Sequence, residues 1–259
     1  GEPYLRGSIP YRGIYGFFMK LLRPEGIIEV DEKNYLGVST RLIRFGSSGL
    51  AGVWAEENTR ESIYSAFRRK ETFGTSGPRI KVRFFAGFNL EQLTLKDPDL
   101  IKKAYLNNVP MGGTLLQEKN KAPRFLIWAL SDPSGAPLQR VQVIKGWLED
   151  GTHMEKVFDV ACSDGQIVDY RTSRCPDNEA EVNLDDCSIS SQKGDSEIKT
   201  FWEDPEFRNG QEAFYYARVL ENPTCRWSTW DAIRANESPR SDIPTTIQER
   251  AWSSAIWYK

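Results

Sequence analysis

Residues 53–85, VWAEENTRESIYSAFRRKETFGTSGPRIKVRFF, decide how this chain is read. The apolar run that leads into them, LAGVW at 50–54, fits a short buried strand. Asn58 stands three residues before Glu61, the spacing of a capping box, in which two side chains satisfy free N–H groups at a helix start. Ile63, Ala66, Phe67 and Lys70 then recur at helical spacing, which sets Ile63 and Phe67 against a core. The basic run Arg68, Arg69, Lys70 falls at the helix end, where positive charge offsets the dipole. Residues 72–77 end the helix and Pro78 forces an extended start. Ile80, Val82 and Phe84 alternate with Lys81 and Arg83, as in a half-exposed strand. The block reads as strand, helix, turn, strand.

Working outward, residues 14–22 suggest a helix, interrupted by Lys20, that is either a buried helix end or an interfacial, partner-binding one. Asp97-Pro98-Asp99 signals a second helix, a capping acid with proline at the first helical position, and Leu100, Ile101, Ala104 and Tyr105 form its apolar stripe. These elements make a first unit, residues 1–116. The second unit, residues 117–259, reads as all-β. FLIWAL at 125–130 is apolar on both faces and is expected to be a central strand. SDPSGAP at 131–137 is a turn cluster, and residues 140–148, 155–162 and 213–220 are further strands. Residues 163–195 are polar and loop-like, and the aromatic tail at 252–258 is expected to pack back on the core. Strands separated by turn signals suggest a β-sandwich.

The chain has 259 residues, 27% charged and 39% hydrophobic, ordinary globular proportions with room for one large core or two smaller ones. Its net charge of -2 argues against a nucleic-acid binder, which needs a basic face. No segment is long enough to span a bilayer. The chain opens Gly-Glu-Pro without Met or signal peptide, so a cleaved leader or a longer parent protein is expected. Four cysteines, Cys162, Cys175, Cys187 and Cys225, lie in a polar region rich in loops. That pattern suggests one or two disulfides and an oxidising compartment, with the pairing open. Buried free thiols are the plainer alternative, and the spacing is not that of a zinc site.

A catalytic zinc or di-metal centre needs several histidine and carboxylate ligands, and the chain holds one histidine, His153, in the hairpin-like stretch EDGTH. There is no G-x-S-x-G elbow and no phosphate-binding P-loop, and Gly112-Gly113 is too short a cradle. What remains is a polar cluster at strand ends: Glu56, Glu57, Asn58, Arg60, Arg69, Thr75, Ser76 and Arg79. Residues just after barrel strands line the mouth of an α/β barrel. There Arg60 or Arg79 would clamp a phosphate or carboxylate, with Thr75, Ser76 and Gly77 adding hydroxyls and amides. The plainer alternative is that Asn58 and Glu61 only cap the helix and the arginines only pair with nearby acids.

Beyond the opening block, six stretches carry a resemblance: VPMGGTL (109–115), WALSDPSG (128–135), DVACSDG (159–165), RCPDN (174–178), FYYARVLENPTCRWSTWDA (214–232) and TIQERAWSSAIWY (246–258). Together they resemble the closing part of polymerase-and-histidinol-phosphatase-like (PHP-like) proteins, in the branch known as domain of unknown function 3604. The pattern's R-x-x-T followed by T-S-G-P corresponds to Arg69, Thr72, Thr75, Ser76, Gly77 and Pro78.

The resemblance implies an α+β, mostly β chain. Its residues 1–116 would be terminal strand-helix-strand elements of an incomplete PHP-like β/α barrel, and residues 117–259 a β-sandwich-like domain. It also implies a larger periplasmic or secreted metal-dependent hydrolase, phosphoesterase-like, using Zn, Mn or Fe. The family's H-x-H and S-D-[ST]-H motifs are absent here, so no metal ligand carries over. This chain is expected to hold no cofactor and to be inactive alone, its partner being the missing N-terminal barrel segment and its substrate a small anion. Glu57, Arg60, Arg69 and Arg79 match the pattern beside the active-site mouth. The alternative is a non-catalytic sandwich, a binding or structural module such as a carbohydrate binder, for which eight tryptophans and ten tyrosines supply the rings.

Overall fold

The computed structural model describes residues 27–36, 44–46, 48–118 and 120–259. The helix expected at 14–22 lies outside them. The chain divides into two compact units, one of residues 1–48, 180–191 and 223–248, the other of 49–179, 192–222 and 249–259.

In the first unit, β1 (Ile27–Val30) and β2 (Lys33–Leu36) form an antiparallel hairpin. Its two turn residues, Asp31 and Glu32, have φ of 50° and 59°, the left-handed pair that matches strand twist in a two-residue turn.

The second unit is built on two sheets. β3 (Leu50–Val53) leads through α1 (Arg60–Arg68) to β4 (Thr72–Thr75), then β5 (Lys81–Gly87), α2 (Leu100–Asn107), β6 (Val109–Pro110) and β7 (Thr114–Leu115). There follow β8 (Arg124–Leu130), β9 (Leu138–Glu149), β10 (Thr152–Cys162), β11 (Glu197–Glu203) and β12 (Ala213–Glu221). The chain then passes through β13 (Thr224–Cys225), α3 (Trp227–Arg234) and β14 (Thr246–Ile247) of the first unit, where β13 and β14 pair. It ends in β15 (Arg250–Ser253) and β16 (Ile256–Tyr258) of the second.

The larger sheet runs β10-β9-β12-β15-β4-β3, with β16 beside β12 and β7 parallel to β16; the smaller runs β11-β8-β5-β6. Both sheets turn apolar side chains into one buried cluster. Val82 and Phe84 come from β5, Phe125 and Ile127 from β8, Val141 and Val143 from β9, and Tyr215, Ala217 and Val219 from β12. The fold is thus mostly β, of antiparallel sheets packed as a sandwich. The opposite face of the smaller sheet is also covered, Phe85 and Leu126 packing on Leu100 and Ala104 of α2. That double burial explains why FLIWAL shows no polar alternation.

Strands from both sides of residue 116 share these sheets, β5 with β8 and β4 with β15. β3 and β4 pair antiparallel at the sheet edge, whereas successive strands of a β/α barrel run parallel. Several local expectations change. Residues 72–75 form β4 rather than a helix end. Among the described residues β3 is an edge strand, with β4 its one neighbour and Leu50 44% exposed. The helix cap is Thr59, whose Oγ1 accepts the Ser62 N–H at 3.3 Å, and not Asn58. Phe67 is 48% exposed, and Ala66 takes the buried position of α1. The cysteines are neither free thiols nor zinc ligands: Cys162 pairs with Cys175 and Cys187 with Cys225, each pair within one unit.

Candidate functional site

The six residues singled out from sequence fall at the two ends of the β3–β4 pair. Leu50 lies opposite Thr75 and Val53 opposite Thr72. Glu57, Arg60 and Arg69 therefore stand at one end, and Thr75, Ser76 and Arg79 at the other, about 10 Å along at ~3.3 Å per residue.

At the first end Glu57 and Arg60 are exposed, and the Glu57 N–H donates to Ser62 Oγ at 3.1 Å. Arg69 reaches the buried Glu71 carboxylate at 3.4 Å and opens a chain of contacts. Tyr105 donates its hydroxyl proton to Glu71 and accepts from Arg83 at 3.0 Å, and the Arg83 guanidinium lies 3.6 Å over the Trp54 ring. Burial first, then the hydrogen bond and charge of Glu71, push the Tyr105 phenol up to about 12.

At the second end four of the family-like stretches meet. Ser76 Oγ donates to the Glu249 carboxylate and accepts the Arg250 N–H at 2.8 Å. Thr75 Oγ1 accepts the Gly77 N–H at 3.3 Å. The Arg79 N–H donates to Asp132 Oδ2 at 2.7 Å and the Ser134 N–H to Oδ1 at 2.9 Å. Those two bonds hold Asp132 below the usual carboxylate range. Glu221, the last residue of β12, is 1% exposed, and its Oε1 has no hydrogen-bond partner among the described residues. A Cβ at Gly135 would sit 3.1 Å from that oxygen, so the turn packs closely against it. Burial, opposed by the Ala136 N–H and reinforced by the charges of Asp132 and Glu249, pushes the Glu221 carboxyl up to about 8. At neutral pH it is mainly a neutral acid between two carboxylates, the kind of perturbed group that marks proton-transfer sites or buried structural clusters. Sequence reading passes over Glu221, Asp132 and Glu249 because three distant turns assemble them. The one local signal is a glutamate closing an otherwise apolar strand.

A second feature lies on the outer face of the larger sheet. The register places Glu155, Gly146, Phe214 and Trp257 in one row across β10, β9, β12 and β16. The Phe214 ring lies on Gly146: a Cβ there would come within 2.3 Å of Phe214 Cζ. Trp257 sits 5.3 Å from Phe214 by ring centroids, and Tyr216 stacks with Phe214 at 6.4 Å and 12°. An open cleft of about 650 Å³ follows this row, with the exposed His153 on its rim beside the β9–β10 hairpin. Further along the same face, Arg218 Nε donates to Gln142 Oε1 and Gln142 Nε2 to Asp159 Oδ1, each at 2.6 Å. Asp159 is buried and also accepts the Cys175 N–H at 2.8 Å. The signal for this face is Gly146, alone within an apolar strand pattern, which marks a close approach.

The divalent metal that the resemblance implies does not fit these residues. Among the described residues no group of three or more His, Cys, Asp or Glu could hold an ion. His153 is the single imidazole of the chain, and all four cysteines are bridged. Among the described residues no helix is long and apolar enough to cross a membrane. A family model described as "Protein of unknown function (DUF3604)" matches residues 20–259. No curated protein and no solved structure matches the chain.

Proposed function

The chain belongs to the DUF3604 family, and from that premise we propose that it is the β-rich part of a PHP-like metal-dependent hydrolase of phosphoesterase type. The metal ligands come from sequence other than this chain, which is not catalytic by itself. The observation that carries this reading is the donor set: a single imidazole on an exposed hairpin, with every thiol oxidised to disulfide. Three or more nitrogen, sulfur or carboxylate ligands are the usual minimum for a hydrolytic centre. The PHP-like relationship rests on the sequence stretches quoted above. A periplasmic or secreted location is supported by the two disulfides, which persist in oxidising compartments.

Within such a protein the candidate contacts to an anionic substrate are Glu57, Arg60 and Arg69 at one end of β3–β4 and Thr75, Ser76 and Arg79 at the other, with the exposed Arg60 and Arg79 supplying positive charge. Hydrolysis of bis-para-nitrophenyl phosphate by the chain with added Zn, Mn or Fe(II) tests the reading. No turnover is expected from the chain alone, and turnover once a metal-bearing N-terminal segment is supplied. Metal-dependent turnover by the chain alone would contradict it.

A further inference from the structure

We propose that the outer face of the larger sheet is a binding site for a neutral polysaccharide, with Phe214 and Trp257 as stacking plates for sugar rings. Three independent features point there.

The first is the glycine. Gly146 sits in the middle of β9, where a β-branched residue would favour the strand, and glycine in a strand interior costs stability. What it permits is the tip of the Phe214 ring over the strand, since a Cβ at 146 would meet Phe214 Cζ at 2.3 Å. The place of the ring is therefore set by the backbone, and Phe214 lines the cleft beside Trp257, the two ring planes tilted by 51°.

The second is shape and length. The row from Glu155 to Trp257 crosses four neighbouring strands, about 14 Å at ~4.8 Å per strand. A half-open cleft of about 650 Å³ suits a run of sugar rings better than an enclosed small molecule. Beside this row the β9–β10 hairpin adds the exposed Leu148 and Met154 to the cleft wall.

The third is charge. Glu155 and Glu212 line the cleft together with Lys259, which lies 5.7 Å from the Trp257 ring, and His153. A mixed rim does not attract a polyanion, which needs a basic groove. It offers both donors and acceptors to hydroxyl groups, while the rings take the apolar faces of the sugars. Gln211, also on the rim, adds an amide with both functions.

The test is a titration of the intact chain, followed by tryptophan emission, with hexasaccharides of glucan, xylan, mannan and galactan, and with polygalacturonate as the polyanion. At least one neutral hexasaccharide is expected to bind saturably. Trp257→Ala and Phe214→Ala are each expected to weaken it about tenfold, the loss of one stacked ring. Trp128→Ala, on the smaller sheet, should bind as the parent does. Trp257 is 43% exposed, so its truncation leaves the core intact and a matched melting curve confirms folding. The proposal is overturned if no neutral hexasaccharide binds, if only polygalacturonate binds, or if binding survives both ring truncations in a folded chain.

Discussion

Glu221 is where a single residue most changes the behaviour of the molecule. Its carboxyl titrates at about 8 in the folded chain against 4.5 when unconstrained, chiefly because it is buried. The folded state therefore holds this proton more tightly than the unfolded one. Its contribution to stability is complete below about 4.5 and is lost as pH climbs through about 8. Glu221→Gln keeps the shape and removes the charge. Each tenfold difference in proton affinity between the two states is worth ~1.4 kcal/mol. Chemical denaturation should therefore show the variant more stable than the parent by about 4 kcal/mol at pH 8, and nearly equal at pH 4.5. An unchanged difference across that range would show that Glu221 is ionised throughout. Asp159 poses the opposite case. It is buried but answered by Gln142, Arg140 and the Cys175 N–H. Asp159→Ala leaves those donors unpaired and should cost about 3 kcal/mol in the same measurement.

At the scale of elements, the loop between β10 and β11 is held by Cys162–Cys175, 13 residues apart in sequence. Replacing both by alanine should lower stability by about 3 kcal/mol, the chain-entropy value for a loop of that size, and equilibrium unfolding reads it directly. Gly146→Val should cost about 1–3 kcal/mol through overpacking, and it should tilt the Phe214 ring, which near-ultraviolet circular dichroism would register.

Elements are legible where a period repeats. Ile80, Val82 and Phe84 read as one face of a strand, and all three are buried. FLIWAL reads as central, and β8 lies between β11 and β5. β4 escapes because four residues, one of them a glycine, carry no pattern and gain strand character from neighbours on both sides. Thr59 and Asn58 are both capping types, and only backbone conformation, φ -117° and ψ 155° at Thr59, chooses between them. The Glu221 cluster and the Phe214 plate are not legible for a related reason. Each joins residues far apart in sequence, Asp132 with Glu221 and Gly146 with Phe214, and no local spacing encodes that meeting.

At the scale of the whole molecule, one family model spans residues 20–259, and the sheets of the second unit draw strands from both sides of residue 116. The account rests on where the metal chemistry of that family-like protein resides. We propose that a chain with one imidazole and four bridged cysteines has too few nitrogen and sulfur donors for a hydrolytic centre of its own. The most direct measurement is metal content by mass spectrometry after the chain is equilibrated with Zn, Mn or Fe(II) and passed through a desalting column. The account predicts far less than one ion per chain for each metal. One tightly held ion per chain, lost on substitution of His153 or of the Asp132, Glu221 and Glu249 carboxylates, would contradict it.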